Sequence, residues 1–264
     1  MVCGAIARFR SRTAAAALVV CAGIGLIVAA TAFADPNALW TIVHTKCVPN
    51  EQQQGNPAPC RLVDLSRGEQ HGYVVLKDLV GATQFLLIPT ARVIGIESPA
   101  LLAPGAPNYF AYAWRSRTYV DGALRKALPR DDVSLAINSV SGRSQNQLHI
   151  HIDCVRGDIH AALKQWEASI GGRWAPLGAP LAGHAYLAMK VAGADLDHVN
   201  PFTLLADGVA GARQDMGHHT LVVVGATFSG GLPGFIILDD HTNPTAGDDA
   251  SGEELQDHAC GIAK

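Results

Sequence analysis

Apolar positions recur along this chain with two periods, and the period decides which element each segment is expected to form. Residues 72–77 (GYVVLK) and 84–88 (QFLLI, closed by Pro89) are short runs rich in β-branched and aromatic side chains between polar flanks. They predict two strands joined by a hairpin that turns near Gly81. Residues 132–138 alternate, with Val133, Leu135 and Ile137 on one side and Ser134, Ala136 and Asn138 on the other, and residues 147–154 alternate in the same way. A period of two predicts half-buried strands. The polar stretch 139–146, containing Gly142, is the loop between them. Residues 219–225 and 234–239 predict two more strands around a glycine-rich turn.

A period near 3.6 marks the helices. Ser98-Pro99 has the form of a helix start, a capping hydroxyl followed by proline. A longer helix is expected after Pro107, with Phe110, Ala113, Trp114, Val120, Leu124 and Leu128 on its buried stripe and Pro129 as its stop. Asp158 is placed to cap another, whose stripe is Ile159, Ala162, Leu163, Trp166 and Ile170 and whose end is Gly171-Gly172. Residues 38–44 are apolar and start the folded domain. Residues 174–216 are rich in alanine and glycine and give no assignment, and the polar, acidic tail from Thr242 is expected to fray. Strands mixed with a few helices and joined by short turns predict an α+β domain built on an antiparallel sheet.

The first 34 residues stand apart. Arg8, Arg10 and Arg12 precede an uncharged apolar span over residues 14–32, and Ala32-Phe33-Ala34 before Asp35 has the small-x-small form of a cleavage site. The span is long enough to cross ~30 Å of hydrocarbon at about 1.5 Å per residue, so an uncleaved anchor stands beside a signal segment. The arginines would stay cytoplasmic, placing residues 35–264 outside as one domain. Without the three leader arginines, 17 basic residues face 23 acidic ones, a formal net of −6. That balance lacks the basic footprint of nucleic-acid binding. An exported domain with Cys47, Cys60, Cys154 and Cys260 is expected to carry disulfides. Cys47 and Cys60 flank a polar loop and are the favoured pair; Cys154 and Cys260 either pair or stay free.

The chemistry concentrates in residues 144–153, SQNQLHIHID. Alternation sends Leu148, Ile150 and Ile152 into a core and leaves Gln147, His149, His151 and Asp153 as a polar row, the two imidazoles about 7 Å apart along the strand. Three uses compete. The row is a solvated face; or His149 and His151 hold a metal with a third ligand from Asp153, His71, His218-His219 or Asp239-Asp240-His241; or a neutral imidazole attacks phosphorus while its neighbour sets its tautomer and the upstream polar loop donates to phosphate oxygens.

Residues 145–152 (QNQLHIHI), Asn138 ahead of the loop, and residues 84–90 (QFLLIPT), taken in order, resemble the histidine triad (HIT) superfamily of nucleotide hydrolases and transferases. Within it the chain resembles the CDP-diacylglycerol pyrophosphatases, over roughly residues 40–239. The resemblance implies a HIT-like antiparallel sheet with packed helices behind an N-terminal membrane segment. It also implies hydrolysis of CDP-diacylglycerol to CMP and phosphatidate in phospholipid metabolism, and residence in the cell inner membrane as a single-pass protein with an extracytoplasmic domain. Laid on the triad, Gln147 takes the first position, His149 the nucleophile and His151 the third. A register shifted by two would use His149, His151 and Asp153, with His151 attacking. The first is preferred because Gln145-Asn146 then fall where these pyrophosphatases carry them. Asn138, Ser144 and Asn146 become candidates for contacts to phosphate or nucleophile, and Lys77 and Arg143 for diphosphate charge. Such a mechanism requires no metal or other cofactor. Its partners are the nucleotide-lipid substrate and the membrane, and family members are often dimeric, so a homodimer is one expected arrangement. The rival expectations are a metal-dependent envelope hydrolase with His149 and His151 as ligands, and a non-catalytic envelope-binding domain.

Overall fold

The alternating segments pair into a single antiparallel sheet in a computed structural model that describes residues 35–264. The leader, its apolar span and its cleavage pattern lie outside the described residues. In chain order the strands are β1 (Leu62–Asp64), β2 (Tyr73–Lys77), β3 (Phe85–Pro89), β4 (Val133–Ile137), β5 (Ile150–Val155), β6 (Ala175–Pro176), β7 (Leu187–Ala192), β8 (His219–Phe228), β9 (Leu232–His241) and β10 (Gln256–Asp257). They lie side by side as β1-β2-β3-β5-β4-β8-β9-β7-β6, and β10 pairs with β5. The helices are α1 (Ala38–Ile42), α2 (Val48–Gln54), α3 (Tyr109–Ser116), α4 (Thr118–Leu124), α5 (Gly157–Trp166), α6 (Pro201–Gly208) and α7 (Ala212–Asp215), with a π turn, Val43–Cys47, linking the first two. The architecture is α+β. Among the described residues no helix is long and apolar enough to cross a membrane.

Both strands expected to be half-buried are buried on both faces, because helices cover one face and helices together with the C-terminal tail cover the other. One face carries Leu87, Leu135, Ile150, Ile152, Val223 and Ile237, packed against Phe110, Trp114, Phe202 and Leu205 from α3 and α6. The other face holds two separate apolar clusters. Val74, Leu76, Leu86 and Ile88 of β2 and β3 pack on the segment from Val43 to Val48. Ala136, Val222, Val224, Ile236 and Leu238 pack on Ile159 and Leu163 of α5. Strand β5 runs between them, and on this face it carries the polar row.

Several local expectations are corrected. Ser98-Pro99 opens only a 3₁₀ turn, Pro99–Leu102, and the Ser98 side chain makes no capping bond. The long helix after Pro107 is two helices: Asn108 caps α3 by accepting from Ala111 N at 3.2 Å, and α4 ends at Arg125, which turns left-handed (φ 55°) ahead of Pro129. Asp158 lies in the first turn of α5 and pairs with Arg156 rather than capping. The unassigned stretch contains β6, β7, α6 and α7, and more than half of the supposed loop between Cys47 and Cys60 is α2. The hairpin between β2 and β3 does turn through Gly81 (φ +67°).

The largest correction concerns the tail. It does not fray: Asn243 and Asp248 form a bridge, Gly252–Leu255 makes a 3₁₀ turn, and β10 adds itself to β5 with Gln256 opposite Val155. Both disulfides form, Cys47–Cys60 and Cys154–Cys260, and the second fastens the tail to β5 itself.

Candidate active site

Strand pairing assembles the site before any side-chain chemistry is considered. In the ladder His151 stands opposite Leu86 on β3 and Ala136 on β4. Continuing the alternation by two residues places Gln84 and Asn138 on the same face as the histidines, one on each flank. The tail then crosses over that face and adds Glu253 and His258.

Gln147 anchors the start of the row. Its amide nitrogen donates to the carbonyls of Pro89 (3.0 Å) and Ala91 (2.9 Å), tying the loop after β3 to the approach of β5. What it offers His149 is its backbone, not its amide: His149 Nδ1 lies 2.7 Å from the Gln147 carbonyl oxygen. A carbonyl only accepts, so the ring carries its proton on Nδ1 and keeps the Nε2 lone pair. Burial pushes the His149 imidazole below its ordinary value, only partly opposed by the Gln147 carbonyl and by the Glu253 and Asp78 carboxylates.

His151 packs edge-on against His149 with ring centroids 4.9 Å apart, closer than the backbone spacing because the rings lean together. Its Nδ1 sits 2.6 Å from the Gln84 amide nitrogen, and the same nitrogen donates to Glu253 Oε1 at 2.8 Å. Nδ1 therefore accepts, the proton resides on Nε2, and that atom is buried without a hydrogen-bond partner among the described residues. Burial first, then the neighbouring His149, push the His151 imidazole down to about 3, against the opposing pull of Glu253. Both rings are thus neutral near pH 7.

A charged chain lies behind them. His258 Nδ1 is 2.8 Å from Asp153 Oδ2, and its Nε2 is 3.3 Å from Glu253 Oε1. Bonds to these two carboxylates raise the His258 imidazole to about 10, so it is a cation held between anions. Asp153 is fully buried and also accepts from Thr83 Oγ1 (2.6 Å) and from the Cys154 amide (2.8 Å). Burial would raise the Glu253 carboxyl, but bonds from His258, Gln84 and Asn138 and the nearby His151 outweigh it and hold the group well below the usual carboxylate range.

The remaining expected residues divide. Asn138 is buried beside the row, but its amide serves the tail: Oδ1 accepts from Glu253 N (3.1 Å) and Nδ2 donates to Glu253 Oε2 (3.3 Å). Arg143 shares a small cavity with His149 and Gln147. It is not a free cation, since two bonds of 2.6 and 2.7 Å pair it with Glu97. Ser144 is exposed, and Asn146 is partly buried with its backbone N–H on Pro36 O (2.6 Å). Lys77 is not brought to the histidines. It pairs opposite Phe85, whose side chain belongs to the other face of the sheet, and its ammonium closes the hairpin on the carbonyls of Asp78 and Gly81.

Of the third ligands considered for a metal at His149 and His151, His219 and residues 239–241 line a separate cavity that contains neither histidine of the row, and Asp153 is committed to His258 and Thr83. Sequence reasoning missed Glu253 and His258 as site residues, and Gln84 was read only as part of a strand motif. One signal could have pointed to the tail: Cys260, left open between pairing and staying free, is bonded to Cys154 on β5.

What these residues form is a neutral imidazole with one nitrogen anchored and the other free, backed by a second neutral ring and a balanced charge chain. Such a group can attack an electrophilic phosphorus without first losing a proton. The sequence matches the family model described as CDH: CDP-diacylglycerol pyrophosphatase over residues 34–264, which takes in every residue of this site. The chain therefore belongs to the CDP-diacylglycerol pyrophosphatase family and is a hydrolase acting on a diphosphate bond.

Proposed function

We propose that the protein hydrolyses CDP-diacylglycerol to CMP and phosphatidate through a covalent intermediate on His149. The observation that carries this is the bond from His149 Nδ1 to the Gln147 carbonyl, which leaves Nε2 as a nucleophile. Nε2 attacks the cytidine-bearing phosphorus, the bond from that phosphorus to the bridging oxygen breaks, and phosphatidate leaves with the electron pair. Phosphate monoesters leave readily, so no strong general acid is needed. Water then attacks the histidyl-nucleotide phosphorus, the electrons of the P–N bond return to Nε2, a proton passes to solvent, and CMP departs. The register with His151 as nucleophile is less well supported, because its Nδ1 is occupied and its Nε2 is shut away from solvent.

His151, Gln84 and Glu253 act as positioning residues for the attacking ring, and Asn138 acts through Glu253. Arg143, still paired with Glu97, and Ser144 and Asn146, all on the loop leading to His149, are the groups we assign to the diphosphate.

We further propose an extracytoplasmic domain tethered to the inner membrane. Two disulfides favour an oxidising compartment. Asp35 and Leu39 are held by the Gln145 side chain, two residues from Gln147, so the start of the folded domain lies at the catalytic loop. The hairpin packed on His258 also presents Leu79, fully exposed, and Val80 at 58 % exposure, an apolar tip suited to the lipid half of the substrate.

The test is CMP release from CDP-diacylglycerol in detergent and excess chelator by wild type, His149→Ala and His151→Ala, with acid-labile labelled nucleotide sought on the protein. Release by wild type, its loss in His149→Ala and a label absent from that variant are expected. Retained activity in His149→Ala would overturn the nucleophile; dependence on added metal that persists in Asp240→Asn would favour the metalloenzyme.

A further inference from the structure

A second group of ligating side chains gathers away from the row, around a cavity of about 610 Å³ where β8 and β9 meet the turn at residue 184 and the tail. Asp240 ends the buried stripe of β9, two residues beyond Leu238, and is 5 % exposed. Its Oδ1 accepts from the His241 amide at 2.7 Å. Its Oδ2 is buried with no partner among the described residues. Asp248 is equally buried, accepts from the Ala250 amide through Oδ1 (2.9 Å) and lies 3.4 Å from His184 Nδ1. One ligating atom each from His184, Asp240 and Asp248 lie within 4.8 Å of one another. His184 is itself steadied by Glu254 at 3.0 Å, which also accepts from Tyr186 Oη at 2.9 Å.

A carboxylate oxygen buried without a donor, beside a second buried carboxylate, is unfavourable unless a proton or a cation is taken up. Among the described residues no side chain of the trio supplies the cation, since His184 is its one basic group and Glu254 already engages it. Metal–ligand bonds of about 2.0–2.2 Å place ligands at most ~4.4 Å apart, so a small inward movement of these side chains would close a coordination shell. The neighbouring trio Asp215, His219 and His241 lacks this vacancy. Both Asp215 oxygens are already bonded, to His218 and His241, and His219 is bonded to Asp239.

We propose that His184, Asp240 and Asp248 bind one divalent cation of the class that takes imidazole and carboxylate ligands together, Mn²⁺ or Zn²⁺. The ion joins the end of β9 to the tail, one residue of which, Glu254, adjoins the Glu253 that touches His151. Its part is to fix the tail, so the site is independent of how the phosphorus is attacked.

The full-length protein, purified in detergent, stripped with chelator and dialysed, is titrated calorimetrically with MnCl₂ and with ZnCl₂, and retained metal is counted by mass spectrometry. One ion per chain is expected, with affinity reduced at least a hundredfold in Asp240→Asn and in His184→Gln and unchanged in Asp215→Asn. Circular dichroism confirms that each variant is folded. Saturation should also raise the melting temperature of wild type and leave that of Asp240→Asn where it was. Uptake of neither metal by wild type beyond that of Asp240→Asn, or loss of the ion in Asp215→Asn alone, would overturn the proposal. Because the readout is binding, it stands or falls separately from the activity of His149.

Discussion

His258 is the residue on which the charge balance of the histidine-bearing face depends. Its folded value is raised to about 10 by Asp153 and Glu253, against an ordinary value near 6.5 in an unfolded chain. A raised value means that the folded state binds the proton more tightly. The contribution of His258 to stability is therefore complete below about pH 6.5 and is lost as pH rises through about 10. The melting-temperature gap between wild type and His258→Asn should be widest near pH 6 and should narrow towards pH 10; a gap that is the same at both would contradict the ion-paired assignment. The alternation at residues 147–153 was enough to place His149 and His151 on one face, because a strand has period two whatever surrounds it. The partners of those rings were not readable, since Gln84, Glu253 and His258 reach them by strand order and tail docking, which no local pattern encodes. Lys77 failed for a related reason: proximity in the hairpin did not reveal which face it occupied.

At the scale of elements, the tail carries the main lesson. Its polar, acidic composition reads as a solvated end, yet β10, the turn before it and Cys260 press it onto β5. Glu253 is held there by the Gln84 and Asn138 amides of the sheet and by His258 of the tail itself. The Cys154–Cys260 link spans 106 residues, and in the chain-entropy picture a loop of about 100 residues is worth on the order of 4–5 kcal/mol. Cys260→Ser should lower the melting temperature by roughly 10 °C and reduce turnover about tenfold or more at temperatures where far-UV circular dichroism still reports an intact sheet. Unchanged turnover in that variant would show that the tail holds its place without the link. The helices were legible in their buried stripes but not in their ends: Arg125 stops α4 by a left-handed backbone that composition does not advertise.

For the molecule as a whole, the order β1-β2-β3-β5-β4-β8-β9-β7-β6 brings the site together from segments far apart in sequence. The alternating runs announced an antiparallel α+β domain; they did not announce that both faces are covered, so strands expected to be half-wet are dry. With Asp35 held by Gln145 beside the histidine strand, the proposed tether predicts that a protein beginning at Asp35 matches the full chain on substrate in detergent micelles and falls about tenfold or more behind it on substrate in vesicles, measured as CMP release. Equal rates on vesicles would remove the tether from the account. The crossing of the tail over β5 also has a consequence for how the protein is made. On the proposed export, a nascent chain threaded outwards from its N-terminus would present β3, β4 and β5 before residues 253–260 arrive, so both histidines would be in place while Glu253 and His258, which brace them, are still in transit. Full activity then waits until the late segment has been delivered and its cysteine oxidised. A chain halted short of residue 253 should carry His149 and His151 and yet spare the lipid pool around it, and one retained in a reducing compartment should act on that pool only slowly.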